Sequence, residues 1–294
     1  MDPIRLYRRP HPDLRRSGRI IIQIGDRWFD FTEYLWHQEL PLFVTALCRR
    51  GWFEADRVEA WLESVSLPEA KPIDPEEGLL PPLLAAEVGK ILALGKNFRA
   101  HAAEFSEEVP AEPLYFNKLP ETLRGHLDIV SPPPGYEGRL DHEAELAVVI
   151  GQEARNVELD SAMACVAGYT VANDLTLRGY QAADREKKYP WFRAKNFDGA
   201  CPLGPCFVPA NQLGISDLKV SATVNGELRQ EASTAELVVS VPAAISYLSR
   251  HLTLHPGDLI LMGTPAGVGP LNDGDQVTCA VEGIGELTTR VERR

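Results

Sequence analysis

The chain has 294 residues, 44% hydrophobic and 24% charged, the proportions of a globular protein long enough to bury one large core or two smaller ones. Its net charge of −12 argues against a nucleic-acid partner, no stretch nears the roughly 20 apolar residues of a membrane span, and five scattered cysteines do not suggest a disulfide framework. We therefore expect a cytoplasmic protein with free thiols and with neither membrane nor nucleic acid among its partners. In chain order, "RIIIQIGDRWFDF" predicts two short strands that turn at Gly25 and Asp26. Two helical stretches follow, and in the second, "EADRVEAWLESV", Ala55, Val58, Leu62 and Val65 recur at three- and four-residue steps to make one apolar face. Pro68, Pro72, Pro75, Pro81 and Pro82 then punctuate a connection. The expected domain boundary lies there, with a small N-terminal α+β domain over 1–80 and a larger domain over 85–294.

The larger domain reads as mostly β, which makes the fold class α+β. "ILALG", "ELAVVIG", "GYTVAND", "CFVP", "LKVSATVNGELRQ" and "DLILMGTPAG" are strand-like, and Asn225-Gly226 predicts a hairpin. "SAMACVAG" and "VPAAISYLSRHLTL" predict helices. "GTPAGVG" is rich in glycine but lacks the spacing of a phosphate-binding loop.

The segment "LDHEAELAVVIG" sends carboxylates into a strand that is otherwise apolar. Alternation along a strand puts Asp141, Glu143 and Glu145 on one face and Ala144, Leu146 and Val148 on the other. Glu143 and Glu145 then stand about 6.6 Å apart at Cα, close enough to converge on one small ion; the alternative is a pair of solvated glutamates on an edge strand. The strand "GYTVAND" ends in Asn173, Asp174, Arg178 and Gln181, and Asp174 is the natural third ligand, or else a turn residue. Three carboxylates suit a hard divalent cation, Mg²⁺ first and Mn²⁺ or Ca²⁺ after it. In "GKNFRAHAAEF", His101 and Glu104 share a face if helical, so the carboxylate could orient an imidazole that takes a proton from water. Lys195, set among aromatic residues in "WFRAKNFDG", could stabilise an oxyanion.

Taken together and in order, "ALGKNFRAHAAEF", "LYFNKLP", "LDHEAELAVVIG", "VAGYTVANDLTLRGYQ", "WFRAKNFDGACPLGP" and "GDLILMGTPAGVG" resemble the fumarylacetoacetate hydrolase family over roughly residues 90 to 292. The resemblance implies a mixed β-roll of the fumarylacetoacetase C-terminal type, a homodimer and a divalent metal held by Glu143, Glu145 and Asp174. It further implies a catalytic dyad of His101 and Glu104, oxyanion and substrate contacts from Lys195 and Gln181, and substrate contacts from Arg178, Lys118 and Thr264. The expected substrate is a small 2-oxo acid. A 2,4-dioxo acid of the acylpyruvate or fumarylpyruvate type would be hydrolysed at a carbon–carbon bond through a metal-bound enolate. The alternatives are decarboxylation of a 2-oxo acid, isomerisation of a 2-hydroxydienoate in aromatic catabolism, and a metal-stabilised binding protein without turnover.

Overall fold

A computed structural model describes residues 4–14, 17–40, 42–53, 68–104 and 110–293. The apolar helical face expected from Ala55 to Val65 lies outside these residues. Among the described residues the strands form sheets of ten, five and three members. The largest runs in the order Arg27–Asp30, Arg19–Ile24, Ile4–Arg9, Cys201–Pro209, Val166–Asn173, Ala144–Ile150, Leu259–Leu261, Ile91–Gly95, Leu114–Lys118, with Leu123–Arg124 pairing with Cys201–Pro209 off this path. Its pairings are antiparallel except where Leu259–Leu261 meets Ile91–Gly95 and where Leu123–Arg124 meets Cys201–Pro209. The protein is mostly β with few helices, as expected. No described helix is long and apolar enough to cross a membrane.

The central strand Ala144–Ile150 is buried along its whole length because both faces of the sheet are covered. Leu146, Val148 and Ile150 enter one core together with Leu92, Leu94 and the five-stranded sheet's Val220, Val277 and Leu287. Ala147 and Val149 enter the other, which holds Ile4, Ile22, Leu35 and Leu83 from the N-terminal region. The N-terminal strands thus extend the main sheet, Leu6 pairing with Phe207 and Tyr7 with Cys206.

The hairpin at Gly25 and Asp26 and the one at Asn225 and Gly226 both form between paired strands. The helix expected around "VPAAISYLSRHLTL" spans Val241–His251. "SAMACVAG" differs from its expectation: Leu159–Cys165 is a 3-10 helix and the strand already begins at Val166, whose pairing with Ile150 overrides the helical preference of the alanines. All five cysteines are free, four of them buried.

Candidate active site

The site forms where two antiparallel strands end. Glu145 lies opposite Ala172 in the ladder, and just beyond it Glu143 donates its N–H to Asn173 Oδ1 at 3.0 Å while its carbonyl accepts from Asp174 N at 2.9 Å. These two bonds clamp the strand ends and carry Asp174 alongside Glu143. Glu143, Glu145 and Asp174 each offer a carboxylate oxygen within 4.8 Å of the others, all three buried. Asp141 does not join them. It occupies the short strand Leu140–Asp141 and accepts from Arg139 Nε at 2.5 Å and Arg178 Nε at 2.8 Å.

Three cationic side chains press on the triad. Lys195 Nζ donates to Asp174 Oδ2 at 2.6 Å and to Glu143 Oε2 at 2.9 Å. Arg178 Nη2 donates to Glu143 Oε1 at 2.6 Å, and its Nη1 to Gln181 Oε1 at 2.6 Å. Lys118 Nζ stands 2.7 Å from Asp174 Oδ1 and gives its hydrogen bond to the Lys195 carbonyl at 2.6 Å, so that oxygen of Asp174 is buried with a charge beside it and no hydrogen bond. Burial favours the neutral form of every carboxyl here, and the outcome differs by neighbour. For Glu143, Lys195 and Arg178 outweigh burial and hold the carboxyl below its usual range. For Glu145, burial and then repulsion from Asp174 and Glu143 drive it well above that range. Lys195 rises above the ordinary lysine value because Asp174 and Glu143 overcome burial, so it stays an ammonium. Three carboxylates that converge in a dry pocket, one of them with an oxygen no hydrogen bond reaches, fit a hard divalent cation, which would lessen the repulsion at Glu145 and supply the orphaned oxygen with a partner.

The glycine-rich loop over 263–269 serves this site. Gly263 N donates to Glu145 Oε2 at 2.5 Å, and its φ of 88° with an added Cβ only 2.8 Å from Asn97 Cβ leaves glycine as the residue that fits. Gly267, also at positive φ, donates to Glu104 Oε1 at 3.2 Å, and a Cβ there would lie 1.9 Å from the Arg229 carbonyl. Thr264 Oγ1 donates to Ala144 O at 2.9 Å and accepts from Gln230 Nε2 at 2.8 Å. His101, on the short helix Arg99–Glu104, places Nδ1 3.3 Å from Glu104 Oε2.

A cavity of about 200 Å³ opens above the triad. Of the residues singled out from sequence, His101, Glu143, Glu145, Arg178, Gln181, Lys195 and Thr264 line it. Asp174 and Lys118 sit behind that wall, and Glu104 reaches the cavity through His101.

Two residues that organise the site carried no readable signal. Gln230 accepts from Ala144 N and lies 3.1 Å from His142 Nδ1, tying the strand that carries Glu145 to the glycine-rich loop. It is the single buried residue of the strand Glu227–Ser233, and that break in alternation appears only in the folded molecule. Asn97 bonds both the N–H and the carbonyl of Val239 and the carbonyl of Met262, fixing the turn that leads into the His101 helix.

A mostly β scaffold that buries a carboxylate triad beneath a cavity edged with cations defines a class of site that could hold a divalent ion and an anionic ligand. The fumarylacetoacetate (FAA) hydrolase C-terminal family model matches residues 90–292, and the chain belongs to that family. It is 44% identical over 212 residues to a 4-hydroxyphenylacetate degradation bifunctional isomerase/decarboxylase of Escherichia coli, covering 71% of this chain and 48% of that protein. It is 40% identical over 209 residues to a mitochondrial oxaloacetate tautomerase of Bos taurus, covering 70% and 94%. Among solved structures, a fumarylacetoacetate hydrolase from Exiguobacterium antarcticum aligns with TM-score 0.81 and 30% identity over 99% of this chain and 100% of that one. Fumarylpyruvate hydrolase from Pseudomonas aeruginosa, in complex with Mn²⁺ and pyruvate, aligns with TM-score 0.67 and 32% identity over 76% and 99%.

Proposed function

We propose that the protein is a divalent-metal-dependent enzyme that hydrolyses a carbon–carbon bond in a 2,4-dioxo acid of the acylpyruvate or fumarylpyruvate type. The observation that carries this reading is that His101, held by Glu104, lines the same cavity as Glu143, Glu145 and Lys195. A divalent ion held by Glu143, Glu145 and Asp174, with Mg²⁺ as our assignment, would draw charge from the chelating oxygens of a 2-oxo acid. The Mn²⁺ of the Pseudomonas relative supports a metal of this kind.

The rest falls to the chain. Glu104 fixes the hydrogen on His101 Nδ1, which leaves Nε2 as the base that takes a proton from water. The Lys195 ammonium supports the oxyanion formed as that water attacks the distal carbonyl. Arg178 engages the carbonyl of Gln181, so in this reading the Gln181 amide nitrogen meets the substrate. The Thr264 hydroxyl hydrogen is spent on Ala144 O, so its contact with a substrate carboxylate runs through the backbone N–H. The carbon–carbon bond of the tetrahedral adduct then breaks, releasing the carboxylic acid, and His101 returns its proton to the enolate carbon to complete pyruvate.

A second reading, tautomerisation or decarboxylation of a 2-oxo acid on the same site, is favoured by the identity to the isomerase/decarboxylase and the oxaloacetate tautomerase. The test is a turnover screen with acetylpyruvate, fumarylpyruvate, oxaloacetate and a 2-hydroxydienoate, with and without a chelator. Chelator-sensitive release of pyruvate from the 2,4-dioxo acids supports hydrolysis. Turnover of oxaloacetate or the dienoate alone selects the second reading, and no chelator-sensitive turnover of any overturns both.

A further inference from the structure

Lys118 closes the strand Leu114–Lys118, opposite Ile91 in the ladder with Ile91–Gly95. Asn196 pins the backbone on both sides of it. Its Oδ1 accepts from Leu119 N at 2.6 Å, and its Nδ2 donates to the Asn117 carbonyl at 3.2 Å and to the Phe192 carbonyl at 2.9 Å. The strand end is thereby fastened to the short helix Phe192–Lys195. Lys118 itself is 1% exposed, so a cationic side chain is sealed in the interior. A buried charge is tolerated where a counter-charge faces it, and here Asp174 Oδ1 lies 2.7 Å away, with neither side chain reached by solvent. The contact is ionic without being a hydrogen bond. Lys118 Nζ donates to the Lys195 carbonyl at 2.6 Å, and Asp174 Oδ1 keeps its lone pairs beside a positive charge that does not cap them.

Lys195 and Arg178 also neutralise the triad, but both line the cavity, so each has room to turn toward it when an ion takes the carboxylate oxygens. Lys118 does not line the cavity and has no such exit. A cation that takes Asp174 Oδ1 meets the ammonium already standing at that oxygen, where little water screens the repulsion.

We propose that Lys118 is a resident counter-cation, which stands in for part of the metal's charge whenever no ion is bound and lowers the site's affinity for a divalent ion, so that the ion remains exchangeable. This inference rests on the reading of Glu143, Glu145 and Asp174 as a metal site, and it gives Lys118 a role without substrate contact.

The test is calorimetric titration of the metal-free full chain with Mg²⁺ and, separately, with Mn²⁺. Lys118→Met keeps an unbranched side chain and removes the charge. Lys118→Gln removes the charge and keeps an N–H for the Lys195 carbonyl, whereas Lys118→Arg keeps the charge. Both neutral variants are expected to bind each ion more tightly than wild type by roughly tenfold or more, with Lys118→Arg within roughly threefold of wild type. A lysine that only braces the strand end gives the opposite sign, because its loss misplaces Asp174 and loosens the ion. Neutral variants that bind no more tightly than wild type therefore overturn the inference. A neutral variant that folds only when Mg²⁺ is supplied supports it, since the ion then replaces the missing cation; two that stay unfolded at saturating Mg²⁺ overturn it. A wild type that binds, beside neutral variants that bind no better, sinks this inference alone. If wild type and both neutral variants take up neither ion, the metal reading falls with it.

Discussion

Glu87 and Glu145 are both acidic side chains sealed inside the molecule, and their surroundings are opposite. Glu87 Oε1 accepts from Arg8 Nη2 at 2.7 Å, and the rest of that guanidinium is taken up by the carbonyls of Ser17, Leu42 and Pro82. Burial lifts the Glu87 carboxyl, and the next influence, Arg8, pulls it back down. Burial lifts Glu145 as well, but there the next influences, Asp174 and Glu143, push it further up, and Lys195 offsets only part. Each place also leaves one carboxylate oxygen without a hydrogen bond, on Glu87 and on Asp174, so an orphaned atom alone does not separate structure from function. The local charge balance does. A one-to-one pair ties the segment around Glu87 to the N-terminal strand of the sheet, whereas three carboxylates brought onto one another repel at Glu145 and could hold a cation.

The widest gap between the two regions should appear in Glu145→Ala. Mg²⁺ binding by calorimetry should disappear while the metal-free protein resists urea as well as wild type or better, since a repulsive group has been removed; near-native affinity would contradict the triad. Next comes a division inside the acidic pocket itself. His101→Ala should lower hydrolysis of 2,4-dioxo acids by roughly 10²–10⁴ in kcat with the Mg²⁺ Kd unchanged, because the imidazole handles a proton and not the ion. Glu87→Ala, the counterpart beside the N-terminal strand, should cost about 3–5 kcal/mol in urea unfolding by stranding the buried Arg8, again without altering Mg²⁺ affinity. A smaller effect ties the two measurements together. Mg²⁺ at 100 times its Kd should stabilise wild type and Glu87→Ala alike by about 2.7 kcal/mol and leave Glu145→Ala where it was. Smallest of all, Gln230→Leu should weaken Mg²⁺ binding by roughly tenfold, the low end for losing a group that positions a ligand, read from the same titration.

The acidic knot was legible in sequence for a local reason. Glu143 and Glu145 are two residues apart in a strand whose other members are apolar, and Asp174 closes the neighbouring strand, so period-two alternation alone brings them near one another. Gln230 was not legible, because its partners Thr264 and Ala144 lie 34 and 86 residues away and nothing in its own strand marks it. The strand Ile4–Arg9 escaped for another reason. Its inward positions are Ile4, Leu6 and Arg8, and an arginine at the third hides the alternation that would announce a strand. Its partner Cys201–Pro209 lies some 200 residues along the chain, beyond any pattern read in a window.

The loop over 263–269 bonds Glu145 through Gly263 and Glu104 through Gly267. One short backbone segment therefore sets the coordinates of both the carboxylate that would grip the ion and the carboxylate that steers the imidazole. On the proposed function, a displacement of either glycine would shift one of these carboxylates, so the grip on the ion and the aim of the imidazole would share a single mechanical reference. Variants that retune one without the other will have to be sought outside this loop.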